Sequence, residues 1–245
     1  MNSIEVPRLD SGTQLASDSG NRAQSYELIE FPIPTYRLLG GKDQLTDAEA
    51  QTYASWMSEE EPGRLSYIGD FFRSCGAPIA DLPVSPEHLP ELSRWLNRWF
   101  PIAFQPWKGE DSASHWWVGE RGKPKGYWFP GHEGYSSRGN WFEVSVSHDL
   151  AFLIANSARE MIPGLRWQVS TLELTPSNPS DPRFHLPMLN AERWNVIPTL
   201  EAHSILRRSL AVPTEENAGR VAFQQMNALS SVLDRLTSGV PSTTA

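Results

Sequence analysis

Residues 145–167, SVSHDLAFLIANSAREMIPGLRW, are the stretch of sequence on which the fold prediction depends. Just before it, and overlapping its start, side chains in residues 141–146 alternate between two sides, which is the period of a half-buried strand. From Leu150 onward the apolar side chains recur at helical spacing. Pro163-Gly164 predicts the end of that helix, and renewed alternation over residues 165–174 predicts a second strand. The sequence therefore predicts a strand–helix–strand unit.

Ser147, His148 and Asp149 lie at the predicted start of this helix. A Ser-His-Asp triad needs side chains that converge, whereas consecutive helical residues point about 100° apart. The same residues suit a helix start, with Ser147 as N-cap and Asp149 near the positive end of the helix dipole. We therefore assign no catalytic residue here.

The composition of the 245-residue chain, 39% hydrophobic and 20% charged, is typical of a globular protein. Twenty prolines and seventeen glycines predict short elements joined by many loops. No apolar run approaches the roughly 20 residues of a membrane span. We predict one α+β domain over residues 25–238, with several amphipathic helices on a small mixed or antiparallel sheet and a Trp-rich loop region in the middle. Residues 1–24 are expected to form a mobile tail, and residues 239–245 a shorter one.

Further helices are predicted on both sides of the central unit. One begins at Thr46 with a capping box that ends at Glu49, and a second enters through Pro62. A third begins near Ser85-Pro86. Two more are predicted over residues 199–211 and 214–236. The sequence before the first helix, residues 26–41, is expected to form two short extended runs, and residues 100–140 to form hairpins and loops.

Charge is distributed unevenly along the chain. The net charge is −8, and residues 43–91 carry ten acids against two bases, which accounts for the whole excess. Nucleic acid is a poor candidate partner because its phosphates require a basic surface. A basic protein fits better. The predicted partner-binding acids are Asp47, Glu49, Glu59, Glu60, Glu61 and Asp70.

Tryptophan is concentrated in the middle of the chain. Seven of the ten Trp residues lie between positions 95 and 141. Those in irregular sequence could fill a thin core, anchor a protein interface or stack on a ligand such as a sugar ring. As predicted interface anchors we name Trp107, Trp116, Trp117 and Trp128.

An enzyme remains the alternative, although phosphate-loop, HExxH, CxxC and GxSxG motifs are absent. A hydrolase-like site could be built in residues 107–149 around His132, Glu133 and His148. Metal ligands could also come from His115 and His185, but the spacings match no common zinc pattern. A glycosidase-like pair of carboxylates could be supplied by residues such as Glu120, Glu133 or Glu143. We predict no cofactor and no metal. The single cysteine, Cys75, is expected to be buried, and its lack of a disulfide partner fits a reducing cytoplasm.

The segment VSVSHDLAFLIANSAREMIPGLRW, residues 144–167, resembles a plan found in uncharacterised immunity-type proteins that bacteria encode beside polymorphic toxins. That plan consists of a strand, a capped Asp-Leu helix, a Pro-Gly turn and a Trp-containing strand. The resemblance covers about 30 of the 245 residues. It implies function by binding, without catalytic residues. We therefore expect a cytoplasmic protein-binding module that occludes a basic toxin domain, with a structural subunit of a larger assembly as a further alternative.

Overall fold

The computed structural model describes residues 3–6, 8–9, 23–33, 45–79, 81–104, 138–170, 185–191, 194–210 and 227–237. Within these ranges the chain forms five α-helices, one 3₁₀ turn and two antiparallel sheets, so the predicted α+β class is confirmed.

The first sheet pairs β1 (Ser3–Val6) with β2 (Gln24–Glu27), with Ile4 opposite Tyr26. Both of these side chains are buried. The prediction of a mobile tail over residues 1–24 is therefore wrong for β1, whose alternating exposed and buried residues place Ile4 and Val6 in the core.

Helix α1 (Asp47–Ser74) begins with the predicted capping box, since the Thr46 hydroxyl accepts from the Glu49 backbone and the Glu49 carboxylate accepts from the Thr46 backbone. The helix then continues through Pro62, so the prediction of a separate helix entering at that proline is wrong. Buried residues on both sides of Pro62 hold the helix together where one backbone hydrogen bond is missing.

The end of α1 depends on a glycine. Gly76 has a φ of +85°, and a Cβ built there would lie 1.8 Å from the carbonyl oxygen of Leu9. The Leu9 backbone N–H in turn donates to the Cys75 carbonyl at 3.0 Å. Only glycine fits both the left-handed backbone and this close approach. The Cys75 side chain is buried, as predicted, and burial raises the pKa of its thiol to about 12.

Helix α2 (Leu89–Ala103) follows a 3₁₀ turn at Pro86–His88, close to the predicted start at Ser85-Pro86. Its buried stripe includes Trp95 and Trp99, whose rings stack with centroids 5.0 Å apart. This pair belongs to the core.

Helix α3 (Arg138–Met161) replaces the predicted strand and the predicted cap. Residues 141–146 are helical, and Ser147 lies well inside the helix rather than at its start. The reason is burial on every side, because each residue from 142 to 155 is buried. The pattern of apolar residues therefore cannot distinguish a strand, with a period of two, from a helix, with a period of 3.6. The end of the helix before Pro163-Gly164 is confirmed, with Gly164 at a φ of +96°.

The second sheet follows α3 and has the order β3-β4-β5, from β3 (Trp167–Val169), β4 (Pro187–Ala191) and β5 (Trp194–Val196). The first of these strands was predicted; β4 and β5 were not. Helix α4 (Pro198–Leu210) agrees with the predicted helix over 199–211, and α5 (Ala228–Thr237) forms the described part of the last one. Helix α3 packs against α1, α4 and α5 and is the centre of the described structure.

Candidate functional site

The densest group of buried polar side chains lies along the middle of α3. Ser147, His148 and Asp149 have no exposed surface, and each turns toward a different part of the fold. The stretch that suggested a triad therefore forms three separate contacts, as expected for consecutive positions of a helix.

Asp149 forms a buried ion pair with Arg64 of α1. The Arg64 Nε and Nη2 atoms donate to the two carboxylate oxygens at 2.7 and 3.0 Å. The Tyr26 hydroxyl donates to the same carboxylate at 2.5 Å. Burial raises the pKa of Asp149 and is opposed by the Arg64 charge. Burial and the neighbouring carboxylate raise the pKa of Tyr26, which keeps it a neutral donor. The group joins α1, α3 and β2.

His148 is enclosed by aromatic rings. Its Nε2 lies 2.5 Å from the Tyr53 hydroxyl, and its Nδ1 lies 2.7 Å from the Val144 carbonyl, which assigns the proton to Nδ1. Phe31 and Trp56 pack on the ring at centroid distances of 4.7 and 6.1 Å. Burial lowers the pKa of His148 to about 4, so the ring is neutral at physiological pH.

Ser147 lies near a second buried histidine, His203 of α4. The Ser147 Oγ is 3.5 Å and the Glu143 Oε1 is 3.4 Å from the same atom, His203 Nδ1. A catalytic Ser-His-acid triad requires the serine and the acid on different ring nitrogens. The Ser147 hydroxyl also donates to the Glu143 backbone carbonyl at 2.8 Å. The arrangement is a packing contact between α3 and α4.

Glu61 forms a further buried contact, between α1, α3 and β3. It is 4% exposed, and its carboxylate accepts from Trp167 Nε1 at 2.7 Å and forms an ion pair with Arg159. Arg159 also donates to the Leu165 carbonyl at 2.8 Å. Glu61 was predicted to bind a partner, but the structure places it inside the fold, away from the exposed acids that precede it.

Side chains of the helices also hold the extended backbone at the end of β2 and just after it. The Tyr67 hydroxyl accepts from the Glu27 N–H at 2.6 Å, and the Ser145 hydroxyl accepts from the Ile29 N–H at 3.1 Å. Trp141 Nε1 donates to the Ile29 carbonyl at 2.7 Å. This segment is therefore bound through alternate residues, in the manner of an extended peptide.

The other predicted partner-binding acids lie on the outside of α1, where Asp47, Glu59, Glu60 and Asp70 are exposed and Glu49 is half-buried. Glu49 serves the capping box. Asp47 lies 3.3 Å from His185 Nε2, and Asp70 pairs with Arg73 at 2.6 Å. Glu59 and Glu60 have no ion-pair partner within the described ranges.

Several other predicted site residues lie outside the described residues. These are Trp107, His115, Trp116, Trp117, Glu120, Trp128, His132 and Glu133. Of the histidines proposed for a hydrolase or metal site, His148 is buried and His185 Nδ1 faces the Leu45 carbonyl at 2.8 Å. Among the described residues, no three His, Cys, Asp or Glu side chains come together to hold a metal ion. No described helix combines the length and apolarity that a membrane crossing requires.

The residues that sequence reasoning missed carried a readable signal. Met57, Glu61, Arg64, Ile68 and Phe71 follow one another at helical spacing and are all buried. Two charged residues thus occupy the apolar stripe of α1. Their positions could have indicated buried partners, whereas Glu61 was instead grouped with the two acids before it.

In comparisons with family models, with curated proteins and with solved structures, nothing matches this chain.

Proposed function

We propose that this protein is a binding module of the immunity type, which neutralises a basic bacterial toxin domain by covering its active surface. The observation that carries the proposal is how the charges of α1 are arranged. Its inward charges, Glu61 and Arg64, are paired inside the fold, while Glu59 and Glu60 face solvent without a described counter-ion.

The exposed acids favour association with a basic surface. Charge complementarity of this kind raises the rate of encounter more than it raises affinity. The affinity would come from aromatic anchors near the centre of the contact. Trp107, Trp116, Trp117 and Trp128 remain our predictions for such anchors, and they lie outside the described residues.

The resemblance to immunity-type proteins supports the proposal only through the second half of the segment that carries it, residues 144–167. The Pro-Gly turn and the strand at Trp167 are present, whereas the predicted strand and cap at the start of the segment are part of α3. The charge arrangement on α1 therefore carries more of the argument than the resemblance does.

The hydrolase alternative has less support among the described residues. His148, one of its three named residues, is fully buried and used by Tyr53 and Val144. A general acid or base must reach its substrate within hydrogen-bonding distance. That alternative now rests on His132 and Glu133, which lie outside the described ranges. For location, we propose the cytoplasm, because the one cysteine is a buried free thiol.

The proposal is tested by capture from a lysate of the native host. The tagged full-length chain is compared with Glu59→Lys/Glu60→Lys and with a control, Glu5→Lys/Glu160→Lys, whose two exposed acids lie on β1 and α3. Both variants change the net charge equally. We expect the wild type and the control to retain one dominant basic protein that elutes as salt is raised.

The captured protein is then co-expressed with the chain in a sensitive host. We expect growth with the wild type and the control, and loss of protection with the variant in which Glu59 and Glu60 are reversed. Equal capture and equal protection by all three chains would remove these acids from the function. A captured enzyme that shows no toxicity would contradict the immunity role itself.

A further inference from the structure

Two half-buried aromatic residues lie beside Glu59 and Glu60, the acids of α1 that have no ion-pair partner among the described residues. Phe31, from the extended segment after β2, packs against Trp56 of α1 with ring centroids 5.5 Å apart. Glu59 and Glu60 follow Trp56 by three and four positions, which places them next to it on the helix surface. We call these four residues the aromatic–acid patch.

Two described basic residues, His148 and Arg64, lie inward of the patch, and neither carries a free positive charge. The ring under Phe31 and Trp56 is that of His148, which is neutral because burial lowers its pKa to about 4. Arg64, four positions after Glu60, is turned inward onto Asp149. His148 is therefore neutral and Arg64 is paired, while Glu59 and Glu60 have no ion-pair partner among the described residues.

The aromatic faces and the acids suit the same ligand group. A cation over an aromatic ring is attracted by its electron-rich face, and arginine does this more often than lysine because its planar guanidinium also stacks. Carboxylates bind guanidinium through paired hydrogen bonds. Trp and Arg are also enriched among the residues that dominate binding energy at interfaces.

We propose that the aromatic–acid patch receives an arginine side chain of the basic partner, with the guanidinium against the exposed part of Trp56 and its N–H groups on Glu59 or Glu60. This inference rests on the proposed function for the identity of the partner. The chemistry of the patch can be tested without that partner.

The first experiment titrates the ¹⁵N-labelled full-length chain with N-acetyl-arginine methylamide and, separately, with N-acetyl-lysine methylamide. The indole N–H signal of Trp56 is assigned by its loss in Trp56→Phe. We expect a saturable shift of this signal with the arginine compound, with an affinity about two- to five-fold higher than for the lysine compound. The Glu59→Gln/Glu60→Gln variant, which leaves the aromatic packing intact, should weaken the shift, and Glu160→Gln should not.

A Trp56 signal that does not respond to the arginine compound, or responds equally in Glu59→Gln/Glu60→Gln, would overturn the inference. The second experiment repeats the lysate capture with Trp56→Leu and with Glu59→Gln/Glu60→Gln. Reduced capture by both variants supports the patch as the contact, and undiminished capture by both overturns it while leaving the proposed function standing. Failure of the wild type to capture any protein would count against the proposed function. The titration would still test whether the patch binds a guanidinium group.

Discussion

Helix α1 carries two Arg–Asp ion pairs that have nearly the same length and opposite surroundings. Arg64 reaches Asp149 at 2.7 Å with side-chain exposures of 6% and 0%, and Arg73 reaches Asp70 at 2.6 Å with exposures of 41% and 79%. Distance alone would rank them together. Burial separates them, because water screens the outer pair and solvates either partner when the other is removed.

The largest expected effect comes from breaking the inner pair. Replacing Arg64 by Leu leaves the buried Asp149 without its counter-ion and also removes the donor to the Glu27 carbonyl. We expect the free energy of unfolding to fall by about 3–5 kcal/mol. Urea denaturation followed by circular dichroism measures this change.

The matched control is Arg73→Leu, on the same helix and with an equally short ion pair. Its expected loss is below about 1 kcal/mol. Similar losses for the two variants would show that burial is not what separates these pairs.

A second prediction uses the pH dependence of stability. His148 has a folded pKa of about 4, below the ordinary histidine value of about 6.5, so the unfolded chain binds more protons between these pH values. The contribution of neutral His148 to the free energy of unfolding is therefore fully present above about pH 6.5. It is lost as the pH falls toward 4, by about 3 kcal/mol in all. Unfolding free energies measured at several pH values across this window give the slope.

Two histidine variants show whether this slope belongs to the interior. His148→Gln removes the buried titrating ring, and we expect its slope to be smaller than that of the wild type by about one proton. His88→Gln replaces an exposed histidine and serves as the surface control in the same measurement. An unaltered slope in His148→Gln would show that the neutral ring is not the source of the pH dependence.

The smallest expected effect is on the outer face of α1. Gly63 is exposed within the helix, and a Cβ built there meets no atom within 4 Å. Gly63→Ala should raise the free energy of unfolding by about 0.5–1 kcal/mol, because alanine loses less backbone entropy in a helix. A thermal unfolding midpoint that rises by a few degrees would confirm it.

Gly69 is the internal comparison for this substitution. A Cβ at Gly69 would lie 3.0 Å from the Leu82 Cδ1, so Leu82 must move to admit it. The gain in helix propensity is then offset by the lost packing. A larger gain at Gly69 than at Gly63 would contradict this reading of the two faces.

Sequence patterns correctly predicted features that are set by local backbone chemistry, and a helix that has one buried and one exposed side. The capping box at Thr46 and the stop at Pro163-Gly164 are set by local backbone chemistry, and both are confirmed. The stripe of α2, with Trp95 and Trp99, has one buried side and one exposed side, so its period could be read.

Sequence patterns gave the wrong prediction where a segment is buried on every side. In α3 the polar residues from Glu143 to Asp149 are as buried as the apolar ones, and most of their partners lie on α1, α4, β2 and the segment just after β2. Those partners are distant in sequence: Tyr26 is 123 positions from Asp149, and Arg64 is 85. Without knowledge of such contacts, a sequence pattern predicts that these polar residues are exposed. It therefore divides the continuous helix α3 into a strand and a shorter helix.

The extended segment over residues 26–31 belongs to the same chain as the helices that bind it, and this attachment sets its effective concentration. Residues 26–31 are held by side chains of α1 and α3, so they act as a ligand that the chain supplies to itself. Attachment to the same polypeptide gives such a ligand an effective concentration in roughly the millimolar range for a short linker. A chain break between this segment and α1 would turn the contact into a bimolecular one, dependent on how much of the released peptide is present. An extended peptide that places a tyrosine hydroxyl on Asp149 would then compete with the released segment for the same side chains of α1 and α3.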